Sequence, residues 1–333
     1  MVSHDLEEER LRKEIEEHQA DRVLLQLPEG LKSEAPYLAS ITEEAGATAL
    51  VSADPCYGAC DLALPEAESL GVDLIIHYGH TQILKQHRIP TVYMEARAKV
   101  DVEDAVMKAI PLLKNWELIG LVTTVQHIHR LEATKDTLSR AGKRVIVGDT
   151  GRPKYAGQVL GCDFSNAKSV SQDVEAFLFL GGGRFHATGV TLATGKPTVI
   201  ADPYQKTAFT TYSEAKNILK RRWAAISEAR KAGRFGVLIG LKSGQKKVTE
   251  AVELKEKLEK VGKRATLLAI REIAPEALMQ FPLIEAFVNT ACPRVSLNDA
   301  KNFLKPVITS REALLVLQEM TWEELCREGW FES

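Results

Sequence analysis

The chain has little of the material that several common protein classes require. Five cysteines scattered over 333 residues are too sparse for a disulfide framework, and in a reducing compartment separated thiols point to core packing, metal or catalysis. No apolar run approaches the roughly 18 residues of a membrane span, and the N-terminus, Met1-Val2-Ser3-His4-Asp5-Leu6-Glu7, is strongly charged, unlike a secretory signal. A cytoplasmic location is the expectation. A surplus of one charge is missing too: 43 basic side chains face 45 acidic ones, which excludes the excess that non-specific nucleic-acid or membrane binding requires. No Gly-x-Gly-x-x-Gly opens a helix where a dinucleotide fold would place it, which weakens the reading as a Rossmann-like nucleotide enzyme.

What the chain does have is one pattern met three times. With 45% hydrophobic residues it can bury more than one core. After a solvated lead-in helix over Leu6 to His18, short apolar runs at Arg22–Leu27, Thr48–Ser52, Asp73–His77 and Pro90–Met94 read as strands separated by loops and helical segments. The series restarts with Leu118–Val122, Arg144–Val147, Ala176–Leu180 and Pro197–Asp202, and again with Phe235–Ile239, Arg264–Leu268, Glu285–Asn289 and Pro306–Thr309. Strands alternating with helices imply crossovers onto parallel sheets. First strands about a hundred residues apart suit one small domain each. The expectation is therefore three related Rossmann-like α/β domains over residues 1–110, 111–215 and 216–333. The helical tail, Ser310–Met320 and Trp322–Trp330 with Cys326, is expected to pack on the third.

Cysteines recur at strand ends. Asp54-Pro55-Cys56-Tyr57-Gly58-Ala59-Cys60-Asp61 is a loop after a strand, and the carboxyl ends of strands are where open α/β sheets carry function. Cys162 and Cys292 occupy comparable loops in the second and third cycles. Two thiols separated by three residues complete no zinc or iron–sulfur signature, so any further sulfur must come from far along the chain. Position alone leaves open three buried core thiols, or zinc on Cys56, Cys60 and a histidine.

The segments Tyr57-Gly58-Ala59-Cys60-Asp61, Gly161-Cys162 and Ala291-Cys292-Pro293-Arg294, with Leu27-Pro28-Glu29-Gly30-Leu31 and His77-Tyr78-Gly79-His80, resemble the diphthamide synthesis enzymes over nearly the whole chain. The resemblance implies three α/β domains around a central site, each giving one cysteine to a [4Fe-4S] cluster. The ligands would be Cys60, Cys162 and Cys292, with Cys56 a neighbour. It further implies transfer of a 3-amino-3-carboxypropyl group from S-adenosylmethionine to C2 of a histidine on translation elongation factor 2. In that chemistry the methionine-side carbon–sulfur bond breaks and methylthioadenosine is released. The Cys-x-x-x-Cys-x-x-Cys run of ordinary radical enzymes that use adenosylmethionine is absent from the family and from this chain. A homodimer and an external electron donor are implied as well; a non-catalytic partner subunit is the alternative, disfavoured because all three cysteines are present.

Adenosylmethionine needs a pocket of its own. Gly181-Gly182-Gly183 after a strand is a candidate because bare backbone lets a nucleotide approach closely, although a tight turn explains it equally. Arg184, His186, Lys242 and Arg294 are candidates for the methionine carboxylate, and Asp202 and Gln245 for the ribose or the amine. His77 and His80, flanking a glycine at a strand end, suit a site or a cap equally. His127 and His129 read chiefly as loop residues, with a role in receiving the target histidine as the sharper alternative.

Overall fold

The computed structural model describes residues 4–84 and 88–331, which form three sheets. The first contains β1 (Arg22–Gln26), β2 (Thr48–Val51), β3 (Leu74–Tyr78) and β4 (Thr91–Met94) in the order β2-β1-β3-β4, all parallel. The second contains β5 (Leu118–Thr123), β6 (Arg144–Ile146), β7 (Ala176–Leu180), β8 (Thr198–Asp202) and β9 (Thr207–Thr210), ordered β6-β5-β7-β8-β9. The third contains β10 (Arg234–Gly240), β11 (Arg264–Ile270), β12 (Ala286–Asn289) and β13 (Val307–Thr309), ordered β11-β10-β12-β13. One winding, second strand beside first beside third beside fourth, thus occurs three times. Among the strands of the described residues, the one antiparallel pair joins β8 to β9, an edge strand that the apolar runs did not announce.

These runs become central strands because both faces are covered, which rewards continuous apolar sequence. Alternation still sorts the side chains: Val23 and Leu25 enter one core while Leu24 enters another across the sheet. In the second sheet Leu121 and Leu178 face one side and Val122 and Phe177 the other. The latter core continues without a break into Val237, Val288 and Ile308 of the third sheet. The repetition extends to single positions. Gly120 of β5 pairs with Phe177 of β7, and Gly236 of β10 with Phe287 of β12. A Cβ would lie 2.3 Å from the Phe177 ring in the first case and 2.8 Å from the Phe287 ring in the second. In both sheets a bare first strand leaves room for the aromatic ring on its neighbour.

The tail departs from expectation. It packs on the second unit as well as the third: the Phe331 ring lies 4.5 Å from that of Phe164, and Gly329 sits so close to Leu192 that a Cβ would approach its carbonyl oxygen to 3.0 Å. The anchor is a buried polar cluster. Thr309 and Glu312 form a capping box on the helix Ser310–Val316, Arg222 Nε donates to Glu312 Oε1 at 2.7 Å, and Trp330 Nε1 donates to the same oxygen at 2.8 Å. Arg222 also donates to the carbonyls of Ser296 and Val307, so a fully buried guanidinium has its donors met and the tail is drawn across both units. Among the described residues no helix is long and apolar enough to cross a membrane.

Candidate active site

Loops at the carboxyl ends of strands from all three sheets enclose a cavity of about 760 Å³, and Cys60, Cys162 and Cys292 all line it. The three loops are not equivalent. Cys60 and Cys162 follow the second strand of their units, β2 and β6, whereas Cys292 follows the third strand, β12. The positions matching Cys292 are occupied by the His77–His80 turn in the first unit and the Gly181–Gly183 turn in the second.

Each cysteine is seated by a different device. The Cys60 carbonyl accepts the Gly244 N–H at 2.7 Å, and Gln245 Nε2 lies 3.4 Å from Cys60 Sγ as donor. Ser243 Oγ donates to the Leu62 carbonyl at 3.0 Å. The loop after β10 therefore clamps the cysteine loop of the first unit. Nearby, Lys242 Nζ lies 3.1 Å from Asp61 and 2.9 Å from Glu272, with the Tyr57 ring 4.0 Å away. Cys162 follows Gly161, where a Cβ would stand 2.6 Å from the Phe185 ring, and precedes Asp163, which accepts from Arg152 and Ser165. Cys292 is the N-cap residue of the helix Pro293–Leu297, with no side-chain cap bond: Asn289 Nδ2 donates to its carbonyl at 2.7 Å, and the Val295 N–H donates to the same carbonyl at 3.2 Å.

Electrostatics shows the thiols to be mutual neighbours. Burial pushes the Cys162 thiol up to about 12, with Cys60 and Cys292 adding to the rise. Burial likewise takes Cys292 to about 11, again with Cys60 contributing, and raises Cys60. Three largely buried thiols lining one cavity, one of them offered an N–H donor by Gln245, form a donor set suited to a cation. Thiolates are the metal-binding form, so occupancy by iron would neutralise what burial disfavours. Three such ligands from three loops fit a [4Fe-4S] cubane with one iron left open.

Of the residues expected to meet adenosylmethionine, His186, Lys242, Gln245 and Arg294 line the cavity, and Gly181, Gly182, Gly183, Arg184 and Asp202 do not. The glycine run has a packing reason instead, since a Cβ on Gly182 would meet the Tyr204 ring at 2.5 Å. Arg184 pairs with Glu214 and lies over Phe209, while Asp202 accepts the N–H groups of Tyr204 and Gln205. Lys242 has its charge committed to Asp61 and Glu272. Arg294, by contrast, has no carboxylate within ion-pair distance among the described residues, and its guanidinium stands 4.8 Å over Phe185 at the cavity wall. His129 is exposed; His127 is buried against Tyr204, with neither ring nitrogen partnered among the described residues.

Two buried glutamines were not anticipated. Gln26 ends β1 and joins the first cysteine loop to β3, its Nε2 donating to the Asp61 carbonyl at 2.7 Å and its Oε1 accepting from Ala63 N and His77 Nδ1. Gln158 lines the cavity and donates to Thr81 Oγ1 at 2.8 Å, tying the second unit to the first. A polar residue interrupting the apolar run Val23-Leu24-Leu25-Gln26-Leu27 is the signal that would have found the former.

Comparison with known proteins agrees with this arrangement. The family model described as "Putative diphthamide synthesis protein" matches residues 27–326. A 2-(3-amino-3-carboxypropyl)histidine synthase from Pyrococcus horikoshii is 37% identical over 327 residues, 97% of this chain and 94% of its own length. Subunit 1 of the human 2-(3-amino-3-carboxypropyl)histidine synthase is 31% identical over 320 residues, covering 93% of this chain and 71% of the human one. The crystal structure of Dph2 from Pyrococcus horikoshii with a 4Fe-4S cluster superposes with a TM-score of 0.89 at 35% identity, covering 100% of this chain and 96% of that one. Three matching sheets with one cysteine loop each, and sequence likeness along almost the whole length, show that this chain belongs to the diphthamide synthesis protein family.

Proposed function

We propose that this chain is a 2-(3-amino-3-carboxypropyl)histidine synthase, which moves the 3-amino-3-carboxypropyl group of S-adenosylmethionine to C2 of a histidine of translation elongation factor 2. The observation that carries the reading is the convergence of Cys60, Cys162 and Cys292 from three separate sheets on one cavity. These cysteines would hold a [4Fe-4S] cluster, which when bound supplies the electron for reductive cleavage of the sulfonium and an open iron site to orient it.

The remaining work falls to the protein. Gln245 donates to the Cys60 sulfur, which favours thiolate and would tune the potential of a group bound there. Arg294, with an uncommitted guanidinium at the wall, would take the methionine carboxylate through its planar fork. His186, whose imidazole burial pushes down to about 4, presents a neutral ring near Arg294. A cavity of about 760 Å³ is large enough for adenosylmethionine while restricting water, which protects a reactive fragment from side reactions. A homodimer and an external electron donor complete the proposal.

An anaerobic assay with adenosylmethionine, dithionite and elongation factor 2 tests it. Methylthioadenosine and a modified histidine are expected; 5′-deoxyadenosine in their place would overturn the assignment of the broken bond. Alanine at Cys60, Cys162 or Cys292 should each abolish stable iron binding, and full iron content in any of these variants would remove that residue from the ligand set.

A further inference from the structure

Beside the cavity a second group of donors has no part in the reading above. The Cys56 sulfur and one ring nitrogen each of His77 and His80 lie within 4.8 Å of one another, with Cys56 and His77 buried and His80 at the cavity wall. The geometry points to a second metal site on Cys56, His77 and His80, a three-ligand centre for Zn²⁺ whose fourth position faces the cavity.

The hydrogen bonds around the trio fix which lone pairs are available. Gln26 Nε2 donates to the Asp61 carbonyl, so Gln26 Oε1 is an acceptor, and it lies 2.9 Å from His77 Nδ1. His77 therefore carries its proton on Nδ1 and a lone pair on Nε2. That lone pair is aimed at His80 Nδ1, 3.0 Å away. An imidazole that ligates through one nitrogen while the other donates to a fixed amide oxygen is the usual outer-shell arrangement of a metal-bound histidine. Burial pushes the Cys56 thiol up to about 12, Asp61 adds to the rise and Lys242 opposes it, so the thiol gives up its proton only where a cation takes its place.

Without metal, one proton on His80 Nδ1 bridges the two rings. When Zn²⁺ binds, that proton moves to His80 Nε2, the Cys56 thiol releases its proton to solvent, and two nitrogens and one thiolate meet the cation. No electron is transferred. Bonds of about 2.3 Å to sulfur and 2.0–2.1 Å to nitrogen require ligand atoms about 3.5 Å apart in a tetrahedron. The three ligand atoms lie within 4.8 Å of one another, the two nitrogens 3.0 Å apart, so binding would spread the imidazoles slightly. One thiolate and two imidazoles suit zinc better than calcium or magnesium, which prefer oxygen.

The test uses cluster-loaded protein, so that zinc cannot enter the other three cysteines. After anaerobic incubation with zinc chloride and desalting, zinc and iron are counted separately, and the zinc-edge X-ray absorption spectrum is recorded. Expected are about one zinc per chain with one sulfur and two or more nitrogen neighbours, loss of that zinc in Cys56→Ser and His77→Ala, and iron unchanged in both. Gln26→Leu, which removes the outer-shell acceptor, should weaken zinc about 10–100-fold. Circular dichroism of the near-isosteric Cys56→Ser variant checks folding. Zinc that is not retained, that shows an all-sulfur shell, or that persists in Cys56→Ser would overturn the site. Loss of iron from Cys56→Ser would overturn it too, by placing Cys56 in the iron centre. Because iron is measured independently, failure of the zinc site leaves the transferase reading standing.

Discussion

Gly244 has no room for a methyl group. A Cβ there would stand 2.7 Å from both Cα and Cβ of Cys60, and since part of the obstruction is backbone, the cysteine loop itself would have to move. Overpacking of this kind costs about 1–3 kcal/mol, and here the strain falls on a sulfur whose position matters. Gly244→Ala should therefore retain the fold but hold several-fold less iron after anaerobic reconstitution; iron equal to that of the parent would show that the cysteine is positioned by other contacts. A different outcome is expected two residues beyond Cys292. Arg294→Ala removes a charge-assisted hydrogen bond worth about 1.5–3 kcal/mol, so KM for adenosylmethionine should rise about tenfold or more while iron content is unchanged. An unaltered KM would assign the carboxylate to another group.

At the scale of elements, the strands were readable because each is a short apolar run ended by glycine, proline or a polar side chain, and the paired Gly120–Phe177 and Gly236–Phe287 show how closely the second unit was copied by the third. The three cysteine loops were readable for the same reason: they fall where such runs stop. Docking of one unit on another was not readable, because it rests on groups such as Gln245 and Gln158 that look like any loop or strand-end amide until their partners are known. The Gly181–Gly183 turn carries no sign of its purpose in sequence, because bare backbone serves a Tyr204 ring as readily as a nucleotide. The edge strand β9 has few apolar residues to mark it, and the tail gave only its helical period, not its partner. That partner can be tested. Arg222 and Glu312 are fully buried and paired, so Arg222→Leu leaves an uncompensated carboxylate and should cost about 3–5 kcal/mol in denaturant unfolding of the cluster-free protein. A change below about 1 kcal/mol would mean that the pair contributes no more than a surface ion pair.

For the whole molecule, the decisive fact is that no single unit contains the site. The first and second units are joined where Glu95 accepts from Lys154 and Tyr155, the first and third where Lys242 meets Asp61 and Glu272, and the second and third share one core. The fold also buries histidines, which makes it sensitive to low pH. Burial holds His127 down to about 4, with His129, His4 and Arg130 adding to the fall and Asp202 opposing it. In the unfolded chain the same imidazole titrates near 6.5. A group whose folded value is depressed contributes stability that is present above its unfolded pKa and lost as pH falls toward the folded one. For His127 that window runs from about 6.5 down to about 4, and the loss across it is on the order of 3 kcal/mol. His127→Phe keeps an aromatic ring beside Tyr204 and removes the titration, so urea midpoints of the cluster-free protein should fall less steeply between pH 7 and 4 in the variant than in the parent. Parallel pH profiles would show that His127 is not the group that acid attacks, and would move the sensitivity to His186, whose imidazole burial and Arg294 also hold down to about 4 at the wall of the cavity where the three units meet.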